Sequence, residues 1–392
     1  MNELDTQQAI HRVMQLMEIN GTSGEELTIS ETIINELKAA GADIAAIAYD
    51  SANERTRIAG DVGNLIFRLP GNLSGPAILL SAHMDTVPIC QNCKPVRDDD
   101  VIRSADDATG LGADDRSGCA VLLTAALEAL NLGGNHPPLV FVWFVQEEIG
   151  LEGSRNLDVE MIGEIGEAFN FDGGTVEKLT IGATGGERME IAVTGKPSHA
   201  GVAPEDGVSA IAIAALAIER LQSGGWHGRI KNELGSGTSN VGVIQGGEAT
   251  NVVTPTVRLR AEARSHDPGM RTRIVQEYRS AFEWAARQVT SADGSSGSIH
   301  FESHVDYDSF RLDEMEPAVK SAWQAVEAVG RKPYHYIADG GLDANWLCEH
   351  GIKAVTMGCG QRNIHTADET LVIDDYLDAC RIAIALISPS PK

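Results

Sequence analysis

The sequence predicts a helix-flanked mixed α/β sheet interrupted by a smaller inserted α+β domain, and three observations predict it. The first is length: 392 residues exceed one ordinary core and point to two domains of roughly 100–200 residues each. The second is the alternation of short apolar runs with helical stretches through the first half and again near the end. The third is a middle region of different character, where strand candidates alternate in polarity instead of being apolar throughout. Hydrophobic residues make up 43% and charged residues 22%, enough apolar side chain for two cores and too much for wholesale disorder.

Ile10, Val13, Met14, Leu16 and Met17 recur at helical spacing and predict a helix over 7–17; a second is predicted over 25–40. Residues 64–69 and 77–82 read as strands, the latter short, apolar and bounded by polar residues. A helix over 118–130 is rich in Ala and Leu. The run LVFVWFV at 139–145 is the strongest buried strand, apolar on both faces as in a helix-covered sheet. A shorter strand follows at 168–171. In the middle, Met189, Ile191 and Val193 alternate with Arg188, Glu190 and Ala192, predicting a strand over 187–193. A helix over 208–222, strands over 240–245 and 252–263, a helix over 270–289 and a strand over 298–305 follow. The order strand–helix–strand–strand–helix–strand is that of a compact α+β unit with an antiparallel sheet. A helix over 316–329, a strand over 354–357 and a helix over 373–387 return the chain to the first sheet. The boundaries are therefore 1–183 with 308–392 for the larger, discontinuous domain and 184–307 for the insert.

The net charge of −25 opposes a nucleic-acid backbone or an anionic membrane surface as the main partner, but not metal binding, since carboxylates are ligands for hard and borderline cations. Residues 1–20 lack the basic-then-apolar layout of a signal peptide, and the longest apolar run, 210–218, is too short to span a bilayer. Six cysteines in a chain of this length make no dense disulfide framework. The expectation is a cytoplasmic protein. Cys90 and Cys93 form a Cys-x-x-Cys without a second pair or suitably spaced His, and read as two loop thiols. The acid run at 98–100 reads as a solvated loop.

Acids and histidines fall just after the predicted strands, where α/β sheets place their ligand-binding crevice. His83 and Asp85 follow the strand at 77–82, Glu147 and Glu148 follow 139–145, and Asp172 follows 168–171. Asp114 lies in GADDRSG at 112–118, which opens a helix, and His365 follows a Gly-rich stretch. Each has a bland reading when taken alone. A His-x-Asp is usually a local hydrogen-bonded pair, a Glu-Glu pair a solvated surface, and Asp114-Asp115 a helix N-cap with an acid behind it. Their joint placement at strand ends and in Gly-bounded loops is hard to explain as surface decoration. Histidine with carboxylates is a borderline-hard ligand set suited to Zn²⁺, Mn²⁺ or Co²⁺. Four carboxylates and two histidines exceed what one tetrahedral ion needs. Two ions ~3.5–4 Å apart can share a hydroxide and polarise a carbonyl. Adjacent Glu147 and Glu148 offer one carboxylate for a metal and one for proton transfer.

At these residues the sequence resembles the M20 family of metallopeptidases, most closely its peptidase T-like (tripeptide aminopeptidase) branch. The matching stretches are SAHMDTVP at 81–88, LGADDRSG at 111–118, QEEIGLEG at 146–153, FDGG at 171–174, GKPSHAGVAPEDG at 195–207, GGLDAN at 340–345 and NIHTADE at 363–369. They cover nearly the whole chain in family order. The resemblance implies a zinc-exopeptidase type of fold with an inserted lid and dimerisation domain. It implies that His83 and Asp172 hold one divalent ion, Glu148 and His365 the other, and that Asp114 bridges them. Zinc is the first expectation, with cobalt or manganese as alternatives. Asp85 would steer the His83 imidazole, and Glu147 would be the general base, passing a proton from the bridging water to the leaving amine. The Asp114–Asp115 peptide would be cis. His199 would stabilise the developing oxyanion, reaching across from a partner subunit, and Asn251 and Arg264 would grip a substrate carboxylate. Arg116 stands where many relatives have Lys. The implied activity is two-metal hydrolysis of the N-terminal peptide bond of short peptides by a homodimer. Dipeptidase, carboxypeptidase and N-acyl amino acid deacylase activities remain open, as does a non-catalytic binding protein on the same fold.

Overall fold

The run with the clearest buried-strand pattern forms Leu139–Phe144, with every side chain out of solvent. In the computed structural model, which describes residues 4–133 and 135–388, this strand lies inside a mixed sheet. Its order is Ile47–Tyr49, Leu65–Leu69, Leu139–Phe144, Ala77–His83, Ile165–Phe171, Ala354–Met357 and Lys178–Ala183. From Leu139–Phe144 to Ala354–Met357 the neighbours are parallel; Leu65–Leu69 and Lys178–Ala183 join antiparallel. Parallel strands share one carboxyl edge, so the residues just after them are collected on one side of the sheet.

Helix Ala113–Asn131 packs against Ala77–His83 and against the helices Thr6–Glu18 and Ile373–Ile387. Consecutive residues from Ala113 to Ala126 are buried, so this stretch has no solvent face, and past Ser117 it is almost wholly apolar. Thr6–Glu18 starts at Asp5, whose carboxylate accepts from the Gln8 N–H at 3.0 Å; such a cap contributes about 1 kcal/mol.

The chain divides into two units, the first comprising Met1–Gly182, Arg311–Ala338 and Leu342–Lys392, the second Ala183–Phe310 with Asp339–Gly341. The second unit is an antiparallel sheet in the order Gly228–Asn232, Gly235–Gly246, Thr256–Ser265, Gly185–Thr194, Ser298–Tyr307. Met189, Ile191, Val193, Val257 and Leu259 point into one core with Ala214, Ile274, Tyr278 and Phe282 of helices Ala210–Ser223 and Pro268–Gln288. Asp267 caps the second helix through the Gly269 and Met270 N–H groups, with Pro268 in its first turn.

Several strands were not predicted. Gly228–Asn232 adds a strand to the expected order, because it offers one buried residue, Ile230, and no periodicity to read. Thr256–Ser265 begins after Pro255, which cannot donate to a ladder, so the predicted start at 252 is too early. The acid run at 98–100 is a hairpin tip between Pro95–Asp98 and Val101–Ser104, with Asp99 in the left-handed region at φ 51°.

Candidate metal centre

The carboxyl edge of the parallel strands gathers the predicted acids and histidines of the first unit. His83 ends its strand and is almost fully buried; its Nδ1 lies 3.1 Å from the Asp85 carbonyl oxygen and its Nε2 lies 3.2 Å from Asp114 Oδ1. The same Nε2 is 4.0 Å from both Glu147 Oε2 and Asp172 Oδ1. With Nδ1–H donating to the carbonyl, the Nε2 lone pair faces the acids, the orientation a histidine ligand needs. His365, in a left-handed turn at φ 64°, brings Nε2 to 3.2 Å from Asp114 Oδ2 and 3.0 Å from Glu148 Oε2. Asp114 thus turns one oxygen to each histidine. His83, Asp114 and Asp172 can converge on one ion, and Asp114, Glu148 and His365 on another; His83, Glu147 and Glu148 also lie close enough together to share one. The Asp114–Asp115 peptide is cis.

Backbone anchors fix these side chains. Asp85 accepts from the Glu147 N–H at 2.9 Å, the Glu148 N–H at 3.1 Å and Ser23 Oγ at 2.6 Å, tying the glutamate loop to the His83 strand. Sequence reasoning assigned no role to four further buried acids. Glu369 accepts from the N–H groups of Leu111, Gly112 and Asp114 at 2.7–3.0 Å and so holds the loop that presents Asp114. Asp115 accepts from the His83 N–H, the Gly118 N–H and Gln361 Nε2. Glu26 accepts from the Gly24 and Gln146 N–H groups at 2.9 Å each. Asp343 is fully buried, with Ser154 as a hydrogen-bonding neighbour. Glu369 and Asp343 lie in NIHTADE and GGLDAN, so the signal was present, but only the topology reveals what they hold. Arg116 is buried and donates Nη2 to the Ile19 and Gly21 carbonyls, bracing the chain behind the loop.

Electrostatics test whether this set suits cations. Burial raises the proton affinity of Glu147, with Asp343, Asp172 and Glu148 adding to the rise and His83 opposing it. Burial also raises Asp172, helped by Asp114, and raises Glu148 against the hydrogen bond from His365. Burial opposes charge on His83, yet Asp114 and Asp85 hold its pKa well above the usual value. Asp114 and Glu148 push His365 up to about 10. Burial works against the Asp114 carboxylate too, but the two histidines outweigh it and hold its pKa well below the usual range. Two carboxylates ~4 Å apart repel by about 4 kcal/mol at an effective dielectric of 20, and here only protons on two imidazoles offset several such contacts. Divalent ions between the same oxygens and nitrogens would replace those protons with a larger charge. The residues fit a pair of ions.

Burial, with Asp85 adding, raises Glu26 from its ordinary 4.5 to about 8. Folded Glu26 therefore keeps its proton to higher pH than the unfolded chain does, and this stabilising contribution is lost as pH rises from about 4.5 through 8. Glu26→Gln keeps an acceptor for Gly24 and Gln146 and removes the titration. In thermal denaturation with chelator present, wild type should lose stability relative to the variant between about pH 5 and 8. Parallel curves would refute this assignment.

The three predicted substrate-binding residues belong to the second unit. His199 is exposed, its Nδ1 accepts from the Gly201 N–H at 3.2 Å, and the Asn251 carbonyl accepts from the Ala200 N–H at 2.9 Å, so His199 and Asn251 lie on neighbouring segments. Arg264 is on strand Thr256–Ser265, and its fork is held by Glu262 through Nε at 3.2 Å and Nη2 at 3.1 Å. The Nη1 and remaining Nη2 hydrogens are left to donate to a carboxylate. Cys90 and Cys93 are buried free thiols, and Cys90 Sγ lies 3.5 Å from Glu369 Oε2.

Comparison with known proteins follows the same lines. The family model for peptidase family M20/M25/M40 matches residues 79–388. The chain is 32% identical over 385 residues to the uncharacterized protein YqjE of Bacillus subtilis (strain 168), covering 98% of each. Among solved structures it is similar to a tripeptidase from Staphylococcus aureus subsp. aureus Mu50, with TM-score 0.87, 30% identity and 98% of each chain covered. It is likewise similar to the aminopeptidase PepT from Bacillus cereus ATCC 10987, with TM-score 0.84, 32% identity and the same coverage.

Proposed function

The chain belongs to peptidase family M20/M25/M40 as a peptidase T-like metallo-exopeptidase, and we propose that it releases the N-terminal residue of short peptides. The observation that carries this reading is the sharing of Asp114 between two potential ion-binding groups, with Glu147 beside them. His83 and Asp172 would hold one ion, Glu148 and His365 the other, with Asp114 common to both and zinc the expected metal. Bound ions of this kind acidify a water and polarise the scissile carbonyl.

The chain's own residues do the rest. Asp85 orients His83 from one side and fixes the glutamate loop from the other. Glu147, anchored through its N–H and desolvated, has the raised proton affinity of a base that takes a proton from water and returns it to the leaving amine. His199 would supply a donor to the developing oxyanion, and Asn251 and Arg264 would bind the substrate's carboxylate. The similarity to the tripeptidase and to the aminopeptidase PepT supports the aminopeptidase assignment. The same reading makes the protein a cytoplasmic homodimer. Its free cysteines suit a reducing compartment, and among the described residues no helix is long and apolar enough to cross a membrane.

The test is a peptide panel assayed with Zn²⁺, Mn²⁺ and Co²⁺: Ala-Ala-Ala, its N-acetylated form and its C-amidated form. Hydrolysis should be lost on acetylation. Undiminished cleavage of the acetylated peptide would replace the aminopeptidase reading with a deacylase or carboxypeptidase one.

A further inference from the structure

Asp85, the buried carboxylate that ties the His83 strand to the glutamate loop, has its two oxygens supplied from different parts of the chain. Oδ1 accepts from the Glu147 N–H at 2.9 Å and faces His83 Nδ1 at 3.4 Å. Oδ2 accepts from the Glu148 N–H at 3.1 Å and from the Ser23 hydroxyl at 2.6 Å, the shortest of these contacts. A hydroxyl this close to an ionised carboxylate makes a charge-assisted bond, stronger than a neutral one. Ser23 lies in the turn between helices Thr6–Glu18 and Leu27–Ala39, and that turn is fixed on both sides of it. Before Ser23, the Gly21 carbonyl accepts from the Thr86 N–H at 3.1 Å and from Arg116 Nη2 at 3.2 Å. After it, the Glu26 carboxylate accepts from the Gln146 N–H at 2.9 Å, one position ahead of Glu147. The turn is thereby held to the loops that follow His83, present Asp114 and carry Glu147.

We infer that Ser23 is a positioning residue of the metal centre, acting through Asp85 on the His83 ring and the glutamate loop. The N–H groups of Glu147 and Glu148 come from adjacent residues, so they fix the Asp85 carboxylate only relative to their own loop. The hydroxyl arrives from a separate, anchored segment and fixes the carboxylate plane relative to the sheet edge. Oδ1 then stays beside His83 Nδ1, and Nε2 stays turned to Asp114. Removing an outer hydrogen-bond partner of this kind changes metal affinity or activity by about 10–100-fold. The inference rests on the two-ion reading above for what His83 and the acids hold.

The test compares Ser23→Ala, Ser23→Thr and Thr22→Val with wild type in two readings. One is zinc affinity, measured in competition with a chromogenic chelator; the other is kcat and KM for Ala-Ala-Ala at saturating zinc. Ser23→Ala should weaken zinc binding and lower kcat by about tenfold or more each, with KM little changed. Ser23→Thr keeps the hydroxyl and should return both readings close to wild type. Thr22→Val removes another hydroxyl bond of the same turn, to Glu25 at 2.9 Å, and should match wild type. A Ser23→Ala protein within about threefold of wild type in either reading would overturn the inference. So would a Ser23→Thr protein as impaired as Ser23→Ala, or an equal loss in Thr22→Val, which would assign the effect to the turn as a whole. If Ser23→Ala does not fold, Ser23→Cys, with a far weaker donor on a similar side chain, takes its place with the same expectation. A wild type that hydrolyses no peptide would count against the activity proposed above, and zinc affinity would still decide the role of Ser23.

Discussion

Glu147→Gln is expected to lower kcat for a tripeptide by about 10²–10⁴ while the protein still binds two ions per chain. The substitution keeps the shape of the side chain and leaves the Glu147 N–H bond to Asp85 in place. What disappears is an oxygen able to accept a proton, 4.0 Å from His83 Nε2 and in a position where burial already favours the protonated form. Because the histidines and the other acids are untouched, metal content by elemental analysis should match wild type and KM should change little. A variant with kcat within about threefold of wild type would remove Glu147 from the proton-transfer role.

Asp114→Asn should cost more, because one residue belongs to two of the three possible ion-binding groups. Its two oxygens face different histidines, at 3.2 Å each, and an amide replaces one of those oxygens with an N–H donor that points at a would-be ion. Loss of at least one ion per chain and of more than about 10³ in kcat is expected. The effect can be read without activity. Wild type should gain about 2.7 kcal/mol of stability when an ion is present at a hundred times its Kd, seen as a rising thermal midpoint on titration with Zn²⁺. The variant's midpoint should rise less. An equal rise in both proteins would mean that Asp114 does not join the two groups.

What could be read from residues alone follows a physical line. Parallel strands inside a helix-covered sheet must be apolar on both faces, so LVFVWFV announces itself, and the polar residues that follow such a run stand at the sheet's carboxyl edge. That is how His83, Glu147, Glu148 and Asp172 were legible. Edge and antiparallel strands carry weaker signals: Gly228–Asn232 buries one side chain, and Lys178–Ala183 dilutes its apolar residues with Thr and Gly. The anchoring acids were illegible in role for another reason. Glu26 bonds a backbone group 120 positions away and Glu369 three groups at least 255 away. No local pattern encodes a carboxylate whose purpose is to satisfy N–H groups on a distant loop. Arg264 differs, since Glu262 stands two positions before it on the same strand, where side chains two apart share a face.

The scatter of the cluster along the chain has a consequence for biosynthesis. Asp172 and His365 are separated by nearly half of the polypeptide. At ribosomal speeds of 5–20 residues per second, roughly 10–40 s pass between their emergence. Throughout that interval the nascent protein lacks the imidazole that joins Asp114 and Glu148. A growing chain of this design would therefore carry one ion-binding group incomplete until His365 has emerged.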